Sequence, residues 1–283
     1  MVSDMTKRNS SAFSMALTVM LSLLAVSFLA PILIILINSF KGRFYISDQP
    51  FALPIGETFA GLTNYVNGIL KTGFPSAFVY SLFITISSVC VIVLFTAMTA
   101  WCIIRVKGKI SSILYYLFVF SMIVPFQMVM FTMSKIADML KLGNPLGIIA
   151  IYLGFGAGLA VFMFSGFVKS IPIEVEEAAL MDSCTPPQTF FYVVFPMLKP
   201  TAITVAILNV MWIWNDYLLP LLVIGNKYKT LPIAVQYLRG GYGSKDMGAM
   251  MAMLVLTIIP IIIFYLSCQK YIIKGVTAGA VKG

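Results

Sequence analysis

Long stretches of this chain carry no charge at all: 9–40, 72–104, 110–134, 142–168 and 247–269. Each exceeds the roughly 20 apolar residues that cross a bilayer as a helix. A sixth apolar run, 201–225, is interrupted only by Asp216. The pattern predicts an all-α integral membrane protein. Its six helices cover about 13–38, 75–104, 111–133, 147–168, 201–225 and 247–269, in a single domain spanning 1–283. Unbroken runs of this length exclude a β-barrel, whose strands alternate over about 10 residues. The first run is too long for the apolar core of a secretory signal, contains Pro31 and lacks a small-x-small cleavage site, so it reads as a retained helix.

The polar connections are short. Segment 41–74 is the longest, with Pro50, Pro54, Gly56 and Gly61 marking turns. The basic loop 105–110 is tight enough to make its flanking helices antiparallel neighbours. In the fourth helix, Gly154 and Gly158 stand four apart, a spacing that lets helices approach closely in lipid.

One connection differs from the rest. Residues 169–200 form an acidic, amphiphilic island that reads as two short helices. Ser170 is a candidate cap for the first and Pro172 suits its opening turn. Glu174, Glu176 and Glu177 favour its positive N-terminal end. Thr185-Pro186-Pro187-Gln188 then predicts a fresh start, with Thr185 as N-cap, Pro186 at the first helical position and Gln188 completing a capping box. Asp182-Ser183-Cys184 must therefore make a sharp turn. A glycine would enter the left-handed region freely there, whereas Ser183 would lose about 1–2 kcal/mol. Ala178, Ala179, Met181, Phe190, Phe191, Val193 and Phe195 give this loop more apolar surface than a solvated connector needs, the mark of a partner-binding segment.

Composition sharpens the picture. The chain has 283 residues, is 60% hydrophobic and 10% charged, and carries a net charge of +9. Its mean hydropathy is +0.98. The 19 Lys and Arg are scattered among the loops rather than clustered, as expected beside membrane spans, which argues against nucleic-acid binding. They do not orient the protein: with the N-terminus inside, the inner segments hold 10 of them and the outer ones 9. Four cysteines without a CxxC pair suggest neither a disulfide framework nor a zinc site, and no histidine is present as base or metal ligand. No G-x-x-x-x-G-K-[ST] sequence occurs, so if ATP drives the protein a separate chain must bind it.

The motif Glu177-Ala178-Ala179, with Pro196 at the right distance and Val193 and Phe195 in place of the usual apolar residues, resembles the Glu-Ala-Ala loop of ATP-binding-cassette importer permeases. Ser183 stands where that pattern has glycine. Trp214-Asn215-Asp216-Tyr217-Leu218-Leu219-Pro220 and the ending Gly275–Gly283 are similar to segments of the second permease of maltose-type and multiple-sugar importers. This resemblance covers nearly the whole chain. It implies a type I importer permease with six spans and a cytoplasmic two-helix coupling loop, in a prokaryotic cell membrane with both termini cytoplasmic. It further implies a second homologous permease, two ATPase subunits holding ATP and magnesium, and an extracytoplasmic solute-binding protein. No cofactor is then expected on this chain, and it is not itself an enzyme. Glu176, Glu177, Ala178, Ala179, Asp182, Ser183 and Pro196 are the implied ATPase-docking residues.

Asn209, Trp212 and Asp216 share a helical face by spacing, and amides and aromatic faces suit a sugar path. Asp216 has two readings, as a lining residue of the path or as a structural cap near the outer interface. The resemblance implies a carbohydrate substrate, an oligosaccharide first of all, with a glycerol-phosphate or polyol as the alternative in the same class. An ion-coupled secondary transporter would want several buried ionisable residues near the midplane, and only Asp216 qualifies. An intramembrane enzyme is disfavoured, since no span presents a nucleophile–base pair.

Overall fold

The computed structural model describes residues 2–236, 238 and 246–280, with side chains from 13 onward and up to 271. The chain divides into two compact units, residues 1–72 with 235–258 and residues 73–234 with 259–283.

In the first unit, α1 (Val2–Ser39) presents the apolar stretch Phe13–Ser39, none of whose most hydrophobic window is buried in the protein's own fold. Such a helix is solvated by lipid or by another chain. Segment 41–74 is a folded cap rather than a loose connection. It contains α2 (Arg43–Asp48), a 3₁₀ turn at Gly56–Thr58 and α3 (Thr63–Thr72). Lys41 bridges Phe59, and its buried ammonium donates to the Gln49 carbonyl at 2.6 Å. The Asn64 amide donates to the carbonyls of Ser39 and Lys41, both at 2.8 Å. The bond to Ser39 satisfies one of the carbonyls that α1 leaves open at its end. The helix α14 (Met247–Ala280) opens beside α3: a side chain at Gly68 would meet the Met253 thioether at 2.7 Å, and Lys71 forms an ion pair with Asp246. Partial burial pushes the Asp246 carboxyl up. The hydrogen bonds from Lys71 and the Ala249 N–H outweigh it and hold the group below the ordinary carboxylate range.

The second unit is built on α4 (Phe74–Arg105) and α7 (Gly147–Val168), with α5 (Lys109–Ile123) and α11 (Lys199–Asn215) against them, while α6 (Phe126–Met139) packs on the segment 218–223 and meets α7 through Phe126 on Phe155. Ile84, Ile92, Tyr152, Phe164, Val205 and Leu219 belong to its core. Helix α7 lies deepest, with half of its most apolar window buried. Two glycines make this possible. A side chain at Gly156 would meet Ile92 Cδ1 at 2.7 Å, and one at Gly158 would meet the Phe118 carbonyl at 2.8 Å. Gly154 has open space around it, so close approach uses Gly156 and Gly158 rather than the predicted pair.

Among the described residues, four helices are long and apolar enough to cross a membrane: Phe13–Ser39, Phe74–Arg105, Gly147–Val168 and Met247–Tyr271. The total reaches six if each of two bent pairs counts as one span. The sequence predicts a continuous helix over 111–133, yet α5 and α6 meet at 108°. Proline explains the break: Pro125 has no N–H to donate and drives Val124 out of the helical basin, to ψ 116°. The helix expected over 201–225 also breaks. Asp216 is extended (ψ 125°), and α12 (Leu218–Val223) follows as a separate turn. Pro220 is the cause written in the sequence, because its ring would collide with the carbonyl four residues back, that of Asp216.

Candidate functional site

Loop 169–200 folds as α8 (Ile173–Met181) and a second helical stretch from Pro186 to Met197. Pro172, not Ser170, occupies the N-cap of α8. The Ser170 hydroxyl instead donates to the Phe167 carbonyl at 2.7 Å and finishes α7. At the other end of α8, the Cys184 N–H bonds the Ala179 carbonyl and the Ser183 N–H bonds the Leu180 carbonyl, each at 3.0 Å. Ser183 sits at φ +64°. This is a Schellman turn with serine in the place that glycine usually fills.

The predicted restart is present. Gln188 Oε1 accepts from both the backbone N–H and the hydroxyl of Thr185, each at 2.8 Å, and Pro186 opens α9 (Pro186–Gln188). The stretch then widens into a π-helical turn at Thr189–Val194 before α10 (Phe195–Met197). Pro196, in α10, cannot donate to the Tyr192 carbonyl, and the wider turn accommodates that missing bond.

The fold sorts the predicted docking residues into two sets. Glu177, Ala178, Asp182, Ser183 and Pro196 are exposed, together with Leu180, Tyr192 and Met181, the last 85% exposed. Glu176 and Ala179, three apart on α8, are buried instead. Ala178 and Ala179, expected as one apolar face, therefore look in different directions. The apolar stripe also narrows, because Phe190 is fully buried in the chain's own core while Phe191 remains exposed.

Glu176 is held by residues that the sequence reading assigned no role. Arg105, at the end of α4, donates to Glu176 Oε1 from Nε at 2.9 Å and from Nη2 at 2.7 Å. The same Nη2 donates to the Ile171 carbonyl at 3.0 Å. Trp101 Nε1 donates to Oε2 at 2.9 Å. The Trp101 ring packs on Phe190, with centroids 5.5 Å apart. Arg105 read from the sequence as one of three loop cations. Its position directly after an apolar run, level with the acidic loop, was the available signal. A cavity of about 350 Å³ lies between α8 and α4, lined by Trp101, Arg105, Ile173, Glu177 and Leu180 among others.

Asn209 and Trp212 line a second cavity, of about 280 Å³, with Met122, Phe155, Gly156 and Leu208. Asn209 is buried and donates to the Val205 carbonyl, which leaves its amide oxygen beside Gly156. The Trp212 ring stands edge-on to Tyr152, with centroids 5.5 Å apart. Asp216 does not line this cavity. Its Oδ1 accepts the N–H groups of Leu218 and Leu219, and its Oδ2 accepts the Tyr152 hydroxyl at 3.2 Å. Of its two readings, the structural cap describes these contacts.

The described residues form an all-helical membrane protein with an exposed, acid-rimmed helix in one loop. Residues 92–278 match the family of inner membrane components of binding-protein-dependent transport systems. The chain is 40% identical to the probable starch degradation products transport system permease protein AmyC of Thermoanaerobacterium thermosulfurigenes, over 94% of this chain and 95% of the relative. It is 36% identical to the multiple sugar-binding transport system permease protein MsmG of Streptococcus mutans, over 93% and 95%. Its fold matches a chain of a bacterial ABC transporter involved in the import of the acidic polysaccharide alginate, with a TM-score of 0.77, 22% identity and coverage of 93% and 98%. The chain belongs to the family of binding-protein-dependent transport system inner membrane components: it is a membrane permease of an ABC importer, not an enzyme.

Proposed function

We propose that this chain is the membrane-spanning subunit of an ATP-driven carbohydrate importer, carrying an oligosaccharide by alternating access. The names of the relatives support a sugar cargo. A second homologous permease completes the pathway, two ATPase subunits bind ATP and magnesium, and a solute-binding protein delivers the sugar from outside. Both termini and loop 169–200 face the cytoplasm in this arrangement. Asn209 and Trp212 line the path, the amide meeting hydroxyls and the indole an apolar sugar face.

The observation that carries the coupling role is the outward face of α8. Ala178, Leu180 and Met181 are exposed there, with Glu177 and Asp182 at the rim. An apolar patch ringed by acids suits insertion into a cleft on a partner. Glu177, Ala178, Asp182, Ser183 and Pro196 form the docking set, and Glu176 and Ala179 support it from behind. The test is purification of the complex through a tag on this chain. Ala178→Asp places a charge in the apolar face without disturbing the buried side of α8, so the ATPase should be lost from the complex while the permease pair stays in the membrane. Retention of the ATPase with normal sugar-stimulated hydrolysis would sink the docking role.

A further inference from the structure

The geometry points to Glu176 as a positioning residue, one that locks α8 to the end of α4 through Arg105 and Trp101 so that displacement of α8 is delivered directly to a membrane helix. This rests on the reading of α8 as the ATPase-docking helix. Consecutive residues of a helix point about 100° apart. Glu176 turns inward with Ala179, while Glu177, Ala178 and Met181 turn outward. The two adjacent glutamates therefore serve different bodies, one the partner and the other the permease itself.

The construction of the cluster supports this. Both oxygens of the Glu176 carboxylate are engaged, one by the Arg105 fork and the other by the indole N–H of Trp101. Arg105 also ties the Ile171 carbonyl, so one guanidinium joins α4, the turn after α7 and α8. The side chains of Arg105 and Glu176 are only 17% and 7% exposed, which shelters the pair from screening by salt. A nine-residue helix has little stability of its own. Beside the cluster, α8 packs on the Thr189–Val194 stretch and is held by a four-residue turn at its start and the Schellman turn at its end. A planar fork and a carboxylate in fixed register resist shear, where an apolar contact would slide.

The test uses the assembled importer in proteoliposomes with its solute-binding protein. Arg105→Lys and Trp101→Phe, both outside the docking set, should retain the ATPase and its basal hydrolysis. Sugar moved per ATP hydrolysed should fall by roughly fivefold or more, the lower end of ordinary coupling between sites. The double variant Arg105→Lys with Glu176→Gln should be no worse than Glu176→Gln alone, as expected of one shared contact. Transport per ATP at the wild-type level in Arg105→Lys would overturn the proposal, as would loss of the ATPase from that variant. Met181→Glu, on the outward face, separates the underlying reading: retention of the ATPase and of coupling there removes the docking role of α8 and leaves the cluster to a second measurement. Spin labels at Cys102 and at Glu174→Cys, in a chain otherwise free of cysteine, report the α4–α8 distance. A single narrow distance through the ATP cycle, broadened by Glu176→Gln, is expected. Equal widths with and without Glu176 would overturn the lock whatever α8 binds.

Discussion

Ser183 holds a left-handed backbone that costs a non-glycine residue about 1–2 kcal/mol. Two Schellman hydrogen bonds fix it there, so the strain is borne at the end of α8. Ser183→Gly should therefore stabilise the loop by a net of about 0.5–1 kcal/mol, once the greater freedom of glycine in the unfolded chain is subtracted. Slower amide exchange at Cys184, with unchanged transport, is the expected result; faster exchange would mean that the serine hydroxyl contributes more than its backbone costs. The need for a sharp turn was legible from the helix start at Thr185-Pro186. The inward aim of Glu176 was not. With acids at 174, 176 and 177 and apolar residues at 173, 175 and 178–181, every face of α8 has a plausible inside, and only the distant Arg105 decides among them.

At the scale of elements, hydropathy marked the apolar runs but not where they bend. Average composition is blind to a single residue that cannot donate, and both breaks follow from prolines, Pro125 and Pro220. Asp216 adds a second cause, because its carboxylate offers the N–H groups of Leu218 and Leu219 an alternative to helical partners. Asn caps as well as Asp, so Asp216→Asn should keep the break and most of the transport, with no new dependence on a proton gradient. Asp216→Ala forfeits the cap and strands the buried Tyr152 hydroxyl, for a loss of about 1–2 kcal/mol. Thermal unfolding of the purified complex distinguishes the two variants. Equal stability of both would show that Pro220 alone maintains the break. The glycine spacing in α7 misled in a similar way: Gly154 and Gly158 match a packing motif, but contact is decided by which neighbours arrive, and these meet Gly156.

For the molecule as a whole, six apolar runs made a helical membrane protein legible, and the class came from the resemblance of the Glu-Ala-Ala spacing in its amphiphilic loop to that of importer permeases. Orientation was not legible, since cations divide almost evenly between the two sides. The proposed arrangement makes a direct expectation. A cysteine at Ser183, in a chain otherwise free of cysteine, should resist impermeant thiol reagents in intact cells, while one at the exposed Glu57 should react. The reverse labelling would invert the protein and remove the ATPase from the docking face.

The Arg105–Glu176 pair has a consequence for biogenesis. Its members are 71 residues apart, so at roughly 5–20 residues per second the cation leaves the ribosome about 4–14 s before its counter-ion. In the proposed orientation, Arg105, Lys107 and Lys109 would act together for that interval as a three-charge retention signal on the side where synthesis takes place. Acids count little in that decision, and this one arrives after the hairpin of α4 and α5 has been made. One charge thus serves twice in succession, first as a topological signal during insertion and then, neutralised, as a mechanical joint in the finished protein.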